Sequence, residues 1–267
     1  PIPLHQHVLV GRKMFPLFEP SPDDRGVEVN KALERLARED WQLSRMMKGH
    51  KGKGGRRPRS NNRTPSRVDV VERLDAEGLL PAITFVFSRA GCAAAVQQCL
   101  DARLSLTTPE EQAEITAFVD AACSHLPEAD LHVLGYYEFR DGLARGIAAH
   151  HAGMLPTFKE CVEDLFSAGL VKVIFATETL ALGINMPARS VVIEKLSKWN
   201  GETHANITPG EYTQLTGRAG RRGIDVEGHG VVLWQPGLDP KQVAGLASTR
   251  TYPLNSSFHP SYNMAVN

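Results

Sequence analysis

Two short runs of apolar residues dominate the hydrophobic pattern, residues 82–87 (AITFVF) and 171–176 (VKVIFA). Both are rich in β-branched and aromatic side chains, which is typical of strands buried on both faces of a parallel sheet. Further strands are expected at 147–149, 189–193 and 229–234. Helical periodicity lies between them, as at 158–168, so the pattern predicts βαβ units. We therefore expect an α/β fold with a mainly parallel sheet and helices on both faces.

Capping patterns mark where several of the helices begin. Ser66, Thr108 and Thr208 each stand three residues before an acidic residue, and proline follows both threonines. These are capping boxes, and proline at the first helical position strengthens the last two. They predict helices that begin near residues 67, 109 and 209. Other helical segments are expected at 33–43, 90–104, 131–145 and 239–247.

Residues 214–223 (QLTGRAGRRG) concentrate Gln214, Arg218, Arg221 and Arg222 among three glycines. Arginine presents a planar fork of donors that suits phosphate oxygens, and glycine lets the backbone approach a ligand or turn sharply. The helix that begins near residue 209 should carry the first arginine and end near 220–223. The pattern predicts a phosphate-facing arginine cluster at a helix end. A solvated basic helix end is the alternative.

The composition changes between residues 41 and 68, which hold nine lysines and arginines and no acidic residue. Few apolar side chains are available there to offset the entropy of ordering, so residues 48–65 are predicted to be a disordered basic insertion. Such an arm could gather nucleic-acid backbone in a salt-dependent way. A solvated insertion without that role is equally open.

Charge and cysteine usage narrow the cellular setting rather than the function. The 30 basic residues equal the 30 acidic ones, so net charge says nothing about a nucleic-acid partner. The four cysteines form no CxxC pair and read as reduced core thiols. The adjacent His150 and His151 have no carboxylate or cysteine at ligand spacing, so no metal site is expected. With no signal peptide and no long apolar run, we expect a soluble, cytoplasmic protein without a membrane partner.

Several motifs together resemble one enzyme family. These are residues 214–223, HHAGMLP at 150–156, FATETLALGINMPA at 175–188 and KWNG at 198–201. In this order they resemble superfamily 2 helicases, in particular the DExH subgroup that includes the superkiller and exosome-associated RNA helicases. The resemblance spans about residues 82–267 and implies a RecA-like fold, the second RecA-like domain of such a helicase.

The resemblance implies two sets of functional residues. Arg218 and Arg221 would reach the γ-phosphate of ATP as catalytic residues, and Gln214 would position the nucleotide or the attacking water. Gly183 and Asn185 would lie near the ribose, although many members of the family have aspartate where Asn185 stands. Arg222 would have a structural or salt-bridge role. The nucleic-acid backbone would be contacted by Ser88, Arg89, His151, Gly153, Thr177 and Thr179. For Ser88 a helix-cap role is equally open.

Two motifs of a complete helicase are missing from the chain. Neither a GxxxxGK[ST] loop nor a DExH box occurs, so ATP and Mg²⁺ would be held mainly by a first RecA-like domain. The expected layout is a linker strand and helix at 1–47, the basic insertion, the second RecA-like domain at 66–250 and the start of a truncated winged-helix domain at 251–267. This chain alone is expected to be inactive.

The expected function is therefore that of the C-terminal domain of an ATP-dependent helicase that tracks single-stranded RNA or DNA, RNA being the first choice. Its partners would be the first RecA-like and winged-helix domains of the same polypeptide. Two alternatives stay open: a DNA repair helicase or translocase domain, and a nucleic-acid-binding module without ATPase coupling.

Overall fold

The computed structural model describes residues 2–21, 26–49, 63–183, 185–199 and 202–248. The strands in these ranges are β1 (Leu4–Val10), β2 (Lys13–Pro16), β3 (Phe18–Pro20), β4 (Val27–Val29), β5 (Ala82–Phe85), β6 (Ile147–His150), β7 (Val173–Ala176), β8 (Ser190–Ile193), β9 (Ser197–Trp199), β10 (His204–Asn206) and β11 (Gly228–Leu233). The helices are α1 (Lys31–Gly49), α2 (Arg67–Ala76), α3 (Arg89–Asp101), α4 (Pro109–Ala122), α5 (Tyr136–Ala144), α6 (Pro156–Ser167), α7 (Thr179–Gly183), α8 (Pro209–Thr216) and α9 (Pro240–Ser248), with a 3-10 turn at Glu128–Asp130.

The main sheet has seven strands in the order β2-β1-β11-β8-β5-β7-β6. All neighbours are parallel except β1 and β2, which are antiparallel. Every residue of β5, β7, β8 and β11 is buried. These strands are continuously apolar because helices cover both faces of a parallel sheet, as the sequence pattern predicted. The predicted α/β fold with a mainly parallel sheet is confirmed.

The predicted capping boxes form at all three positions. The hydroxyls of Ser66, Thr108 and Thr208 each accept a hydrogen bond from the N–H three residues later, and the acidic side chain there accepts one in return from the N–H of the capping residue. The continuous helix expected at 131–145 is wrong in its first part. Gly135 adopts a left-handed conformation with φ of 69°, so α5 begins only after it.

The first residues are part of the sheet rather than a linker to it. β1 lies between β2 and β11, and Val8 and Leu9 are fully buried. The sheet therefore includes strands on both sides of the domain boundary predicted at residue 66. Sequence periodicity gives the strand but not its partner, because pairing with β11 joins residues more than 200 positions apart.

The structure describes residues at both ends of the predicted disordered insertion, 48–65. Residue 49 ends α1. Arg63 places a guanidinium nitrogen 2.7 Å from a carboxylate oxygen of Asp40 and also pairs with Glu39. Residues 50–62, and residues 251–267 of the expected winged-helix segment, lie outside the described residues. None of the helices in the described ranges has the length and apolar character needed to span a bilayer.

Candidate nucleotide and nucleic-acid sites

The carboxyl ends of β5, β6 and β7 bring the predicted nucleic-acid contacts together. These strands are parallel neighbours in the sheet, so Ser88, His151 and Thr177, which follow them, lie along one edge. We call this the carboxyl edge. Ligands of open α/β sheets meet this kind of edge. Ser88 is exposed there, and its hydroxyl accepts a hydrogen bond from the Gly91 N–H at 3.2 Å, so it caps α3.

Arg89 lies directly against the turn at Gly153. A Cβ placed on Gly153 would lie 3.3 Å from Arg89 Cδ and 3.3 Å from Arg89 Nη1, so a side chain at this position would crowd the arginine. The Gly153 N–H donates to His151 Nδ1 at 3.2 Å. Burial, and after it the nearby Arg89 charge, lower the pKa of His151. His151 is therefore held as a neutral acceptor beside an exposed cation.

Thr177 and Thr179 extend the same edge. The Thr177 N–H donates to the carbonyl oxygen of His150 at 3.3 Å, which ties the end of β7 to the end of β6. The two threonine hydroxyls are 2.9 Å apart and share a hydrogen bond. The carboxyl edge thus displays hydroxyls, a backbone turn and the cation of Arg89, which is a set of groups suited to a phosphate backbone.

The arginine segment, residues 217–223, does not belong to the helix that precedes it. The predicted end of this helix at 220–223 is wrong, because α8 stops at Thr216 and Gly217 caps it. Gly220 and Gly223 have φ of 90° and 80°, a conformation that glycine adopts at little cost. Arg218 and Arg221 are therefore carried by a turning loop.

The arginine segment is fixed to the amino ends of β8 and β11. The Gly220 N–H donates to the carbonyl oxygen of Ala188 at 2.7 Å, and the Ala188 N–H donates to that of Arg218 at 2.9 Å. A Cβ on Gly228 would lie 2.7 Å from the backbone of Ala219 and Gly220, so only glycine allows this approach. The segment therefore sits at the amino edge of the sheet, opposite the carboxyl edge.

Arg218 joins the arginine segment to α7. Its Nη2 donates to the carbonyl oxygen of Ala181. α7 ends at Gly183, and the exposed Asn185 follows two residues later. The residues expected near the ribose therefore continue from the helix that Arg218 contacts. Within the described ranges, the guanidinium of Arg218 makes no other side-chain hydrogen bond.

Arg221 is held by Asp225, a partner that the sequence analysis did not identify. Nε and Nη2 of the arginine each donate to one oxygen of the carboxylate at 2.8 Å, and the Arg221 backbone N–H adds a third bond at 2.8 Å. The side chain of Asp225 is only 4% exposed. Hydrogen bonding from Arg221 lowers the pKa of Asp225 against the opposing effect of burial. The pair is therefore charged at neutral pH.

The geometry of this ion pair leaves one edge of Arg221 available. Asp225 engages the edge formed by Nε and Nη2, whereas Nη1 and the second hydrogen of Nη2 point away from it. A guanidinium has five N–H donors and can bind two oxyanions side by side. Asp225 can therefore orient the arginine without blocking it.

Two other polar residues of the motif are exposed. Gln214 faces solvent on α8. Arg222 is also exposed, and among the described residues it forms no ion pair. The structural or salt-bridge role expected for Arg222 stays a prediction, whereas its neighbour Arg221 forms an ion pair with Asp225.

Lys198 in β9 links the carboxyl edge to the start of α8. Its ammonium pairs with Glu178, which stands between Thr177 and Thr179, and lies 2.7 Å from Glu211 near the start of α8. The KWNG motif marked this segment in the sequence, but nothing there identified the two carboxylates. α8, with eight residues and a length of about 12 Å, runs from this contact to the arginine segment.

Comparison with known proteins identifies the family of this domain. Residues 106–223 match the family described as Helicase conserved C-terminal domain, a range that includes the turn at Gly153, Thr177 and the whole arginine segment. The chain is 60% identical over its full length to "Probable helicase HelY" of Mycobacterium tuberculosis, of which it covers 30%. The chain belongs to the superfamily 2 helicases of the superkiller type, as their C-terminal domain.

More distant relatives of this helicase domain come from eukaryotes. "ATP-dependent RNA helicase mtr4" of Schizosaccharomyces pombe is 37% identical over 96% of the chain, which covers 21% of that protein. "Superkiller complex protein 2" of Homo sapiens is 34% identical over the whole chain, which covers 22% of that protein. The helicase domain thus spans less than a third of the length of these relatives.

Proposed function

We propose that the whole protein is an ATP-dependent helicase, and that this domain supplies two arginines to ATP bound in a cleft against another RecA-like domain. The observation that carries the proposal is the amino edge, where Arg218 and Arg221 are both anchored to carbonyl or carboxylate oxygens, while their remaining N–H donors have no side-chain hydrogen bond to the part of the chain that the structure describes. Prepositioned donors stabilise the charge that develops during phosphoryl transfer.

The residues present fit a nucleotide on this side of the cleft. Arg218 and Arg221 would contact the γ-phosphate, Gln214 would position the nucleotide or the attacking water, and Gly183 and Asn185 would lie near the ribose. Mg²⁺, held with ATP mainly by the other domain, would neutralise phosphate charge. The matched residues of the family end at Gly223, so the partner of Arg221, Asp225, lies just outside them.

The carboxyl edge is proposed to hold one strand of nucleic acid by its backbone. Arg89 and the hydroxyls of Ser88, Thr177 and Thr179 are donors for phosphate oxygens, and the turn at His151 and Gly153 allows close approach. Backbone contacts position a strand without reading its sequence. RNA is the first candidate substrate, because several relatives carry "RNA helicase" in their names.

Strand displacement by the full-length protein tests the proposed function. RNA and DNA duplexes of one sequence, each with an unpaired 3′ extension, are compared with and without ATP. We expect ATP-dependent displacement that is at least about tenfold faster on RNA than on DNA. Residues 1–267 alone should have no ATPase activity, since the two arginines complete a site that is otherwise formed by the other RecA-like domain. Displacement of DNA alone would favour a repair helicase or translocase. Binding without displacement or ATPase stimulation would favour a module without coupling.

Arg89→Ala is expected to weaken binding of single-stranded nucleic acid by the full-length protein about three- to tenfold. It should also lower the slope of log Kd against log salt by about 0.7, the contribution of one phosphate contact to a single strand. Titration over a series of salt concentrations measures both. Arg103→Ala is the matched control, since Arg103 is exposed just beyond the opposite end of α3. An equal change in both variants would count against the carboxyl edge as the binding site.

A further inference from the structure

Lys198 is a single cation between two carboxylates that belong to different parts of the molecule. Its ammonium pairs with Glu178 and lies 2.7 Å from a carboxylate oxygen of Glu211, and its side chain is 20% exposed. Partial burial acts to lower the pKa of Lys198, but hydrogen bonds to the two carboxylates outweigh it and raise the pKa above its usual value. Lys198 is therefore charged at neutral pH.

Each carboxylate is part of one proposed site. Glu178 stands between the two threonines of the carboxyl edge, and the residue after it begins α7. Glu211 completes the capping box of α8, where its Oε2 accepts a hydrogen bond from the Thr208 N–H at 2.7 Å. α8 then runs to the arginine segment. A displacement of residues 177–179 can thus be passed through the ammonium group of Lys198 to the start of α8, and along the two turns of α8 to the arginines.

Without Lys198 the same two carboxylates would face each other with no cation between them. Like charges repel, so the end of β7 and the start of α8 would no longer be tied to each other. β9 and β10 form a separate two-stranded sheet, and the ammonium group is not part of the apolar core. These ion pairs are partly exposed, and such pairs contribute little to overall stability. Their loss should therefore affect how a movement of residues 177–179 is passed to α8, rather than the stability of the fold.

We propose that Lys198 is a positioning residue that transmits nucleic-acid binding at the carboxyl edge to the arginines at the amino edge. The proposal rests on the proposed function, since it assigns the coupling between those two sites. In the bound state, the strand would order residues 177–179, and Glu178 would hold Lys198 and with it the start of α8. ATP hydrolysis in the absence of nucleic acid would not depend on this link.

Lys198→Met in the full-length protein tests the inference, because methionine keeps an unbranched apolar chain and removes the charge. We expect the ratio of ATPase rates with and without saturating single-stranded RNA to fall at least about tenfold. The rate without RNA should stay within about twofold, and the Kd for RNA within about threefold. Lys195→Met is the matched control, because Lys195 is exposed three residues earlier in the same connection. Its ratio should equal that of the unaltered protein.

Glu178→Gln provides a second variant that leaves the capping box of α8 intact. It should also lower the ratio, and the double variant Lys198→Met/Glu178→Gln should be no worse than Lys198→Met, since both changes break one link. An unchanged ratio in Lys198→Met overturns the inference. So does an equal loss of both rates together with a lower Tm, which indicates a structural role. If Lys198→Met does not fold, an unchanged ratio in Glu178→Gln is decisive instead.

The two proposals fail in different ways. An unaltered protein whose ATPase no nucleic acid stimulates contradicts the proposed function, and the coupling role falls with it. A stimulated protein whose Lys198→Met variant is stimulated equally contradicts the coupling role alone.

Discussion

Arg221→Ala in the full-length protein is expected to lower the maximal nucleic-acid-stimulated ATPase rate by about 10³-fold, the lower end of the range for arginines that stabilise phosphoryl transfer. This guanidinium belongs to the amino edge, whereas the proposed strand contacts lie at the carboxyl edge. Affinity for single-stranded RNA should therefore stay within about threefold. Steady-state ATPase measurements at saturating RNA give the rate, and fluorescence anisotropy of a labelled strand gives the affinity.

Neighbouring positions supply the controls for Arg221. Arg222→Ala removes an adjacent, exposed arginine and should leave the rate within about twofold. Asp225→Asn keeps the shape of the partner and removes its charge, so Arg221 is held less firmly and the rate should fall by about tenfold, less than for Arg221→Ala. A normal rate for Arg221→Ala, or a larger loss for Arg222→Ala, would show that the arginine assignment is wrong.

The second large effect is expected on stability, at the ion pair between Arg67 and Glu194. Nε and Nη2 of Arg67 donate to the two oxygens of Glu194 at 2.8 and 3.0 Å, and the side chains are 18% and 12% exposed. Glu194→Ala leaves the guanidinium largely buried and unpaired. The free energy of unfolding should therefore fall by about 3 kcal/mol. Urea unfolding of the 267-residue chain, followed by circular dichroism, measures it.

A double variant distinguishes the cost of an unpaired buried charge from the cost of lost packing. Arg67→Met/Glu194→Met removes both charges and keeps apolar volume, so it should be less destabilised than Glu194→Ala. If the double variant proves as unstable as Glu194→Ala, the unpaired guanidinium is not the cause and the explanation fails.

Local chemistry was enough to predict much of the fold. Thr208, Pro209 and Glu211 specify the start of α8 through contacts within four residues, and the structure has the helix start there. The apolar runs at 82–87 and 171–176 became adjacent parallel strands because only a sheet covered on both faces buries them completely. The position of β1 beside β11 was not predictable in this way, since that pairing joins residues more than 200 positions apart in sequence.

In the candidate site too, contacts set by local sequence were predictable and contacts between distant residues were not. The motifs predicted that Arg89 lies near Gly153 and Thr177 near His150, because the ends of neighbouring parallel strands meet at one edge of the sheet. The motifs did not predict that α8 ends at Thr216. Gly217 and Gly220 end the helix there because the following loop bonds to the edge of the sheet, which is a contact between residues distant in sequence. Lys198 was missed for a related reason, since its two carboxylates lie 20 and 13 positions away in sequence.

The contact between Gly220 and the first described residues has a mechanical consequence. A Cβ on Gly220 would lie 2.9 Å from Ile2 Cγ2, and the Gly228 N–H donates to the carbonyl oxygen of Pro3 at 2.8 Å. Ile2 and Pro3 are thus in contact with the loop that carries both guanidinium groups. A displacement of β1, which begins at the next residue, would therefore act first on this loop and change the direction in which the arginines point.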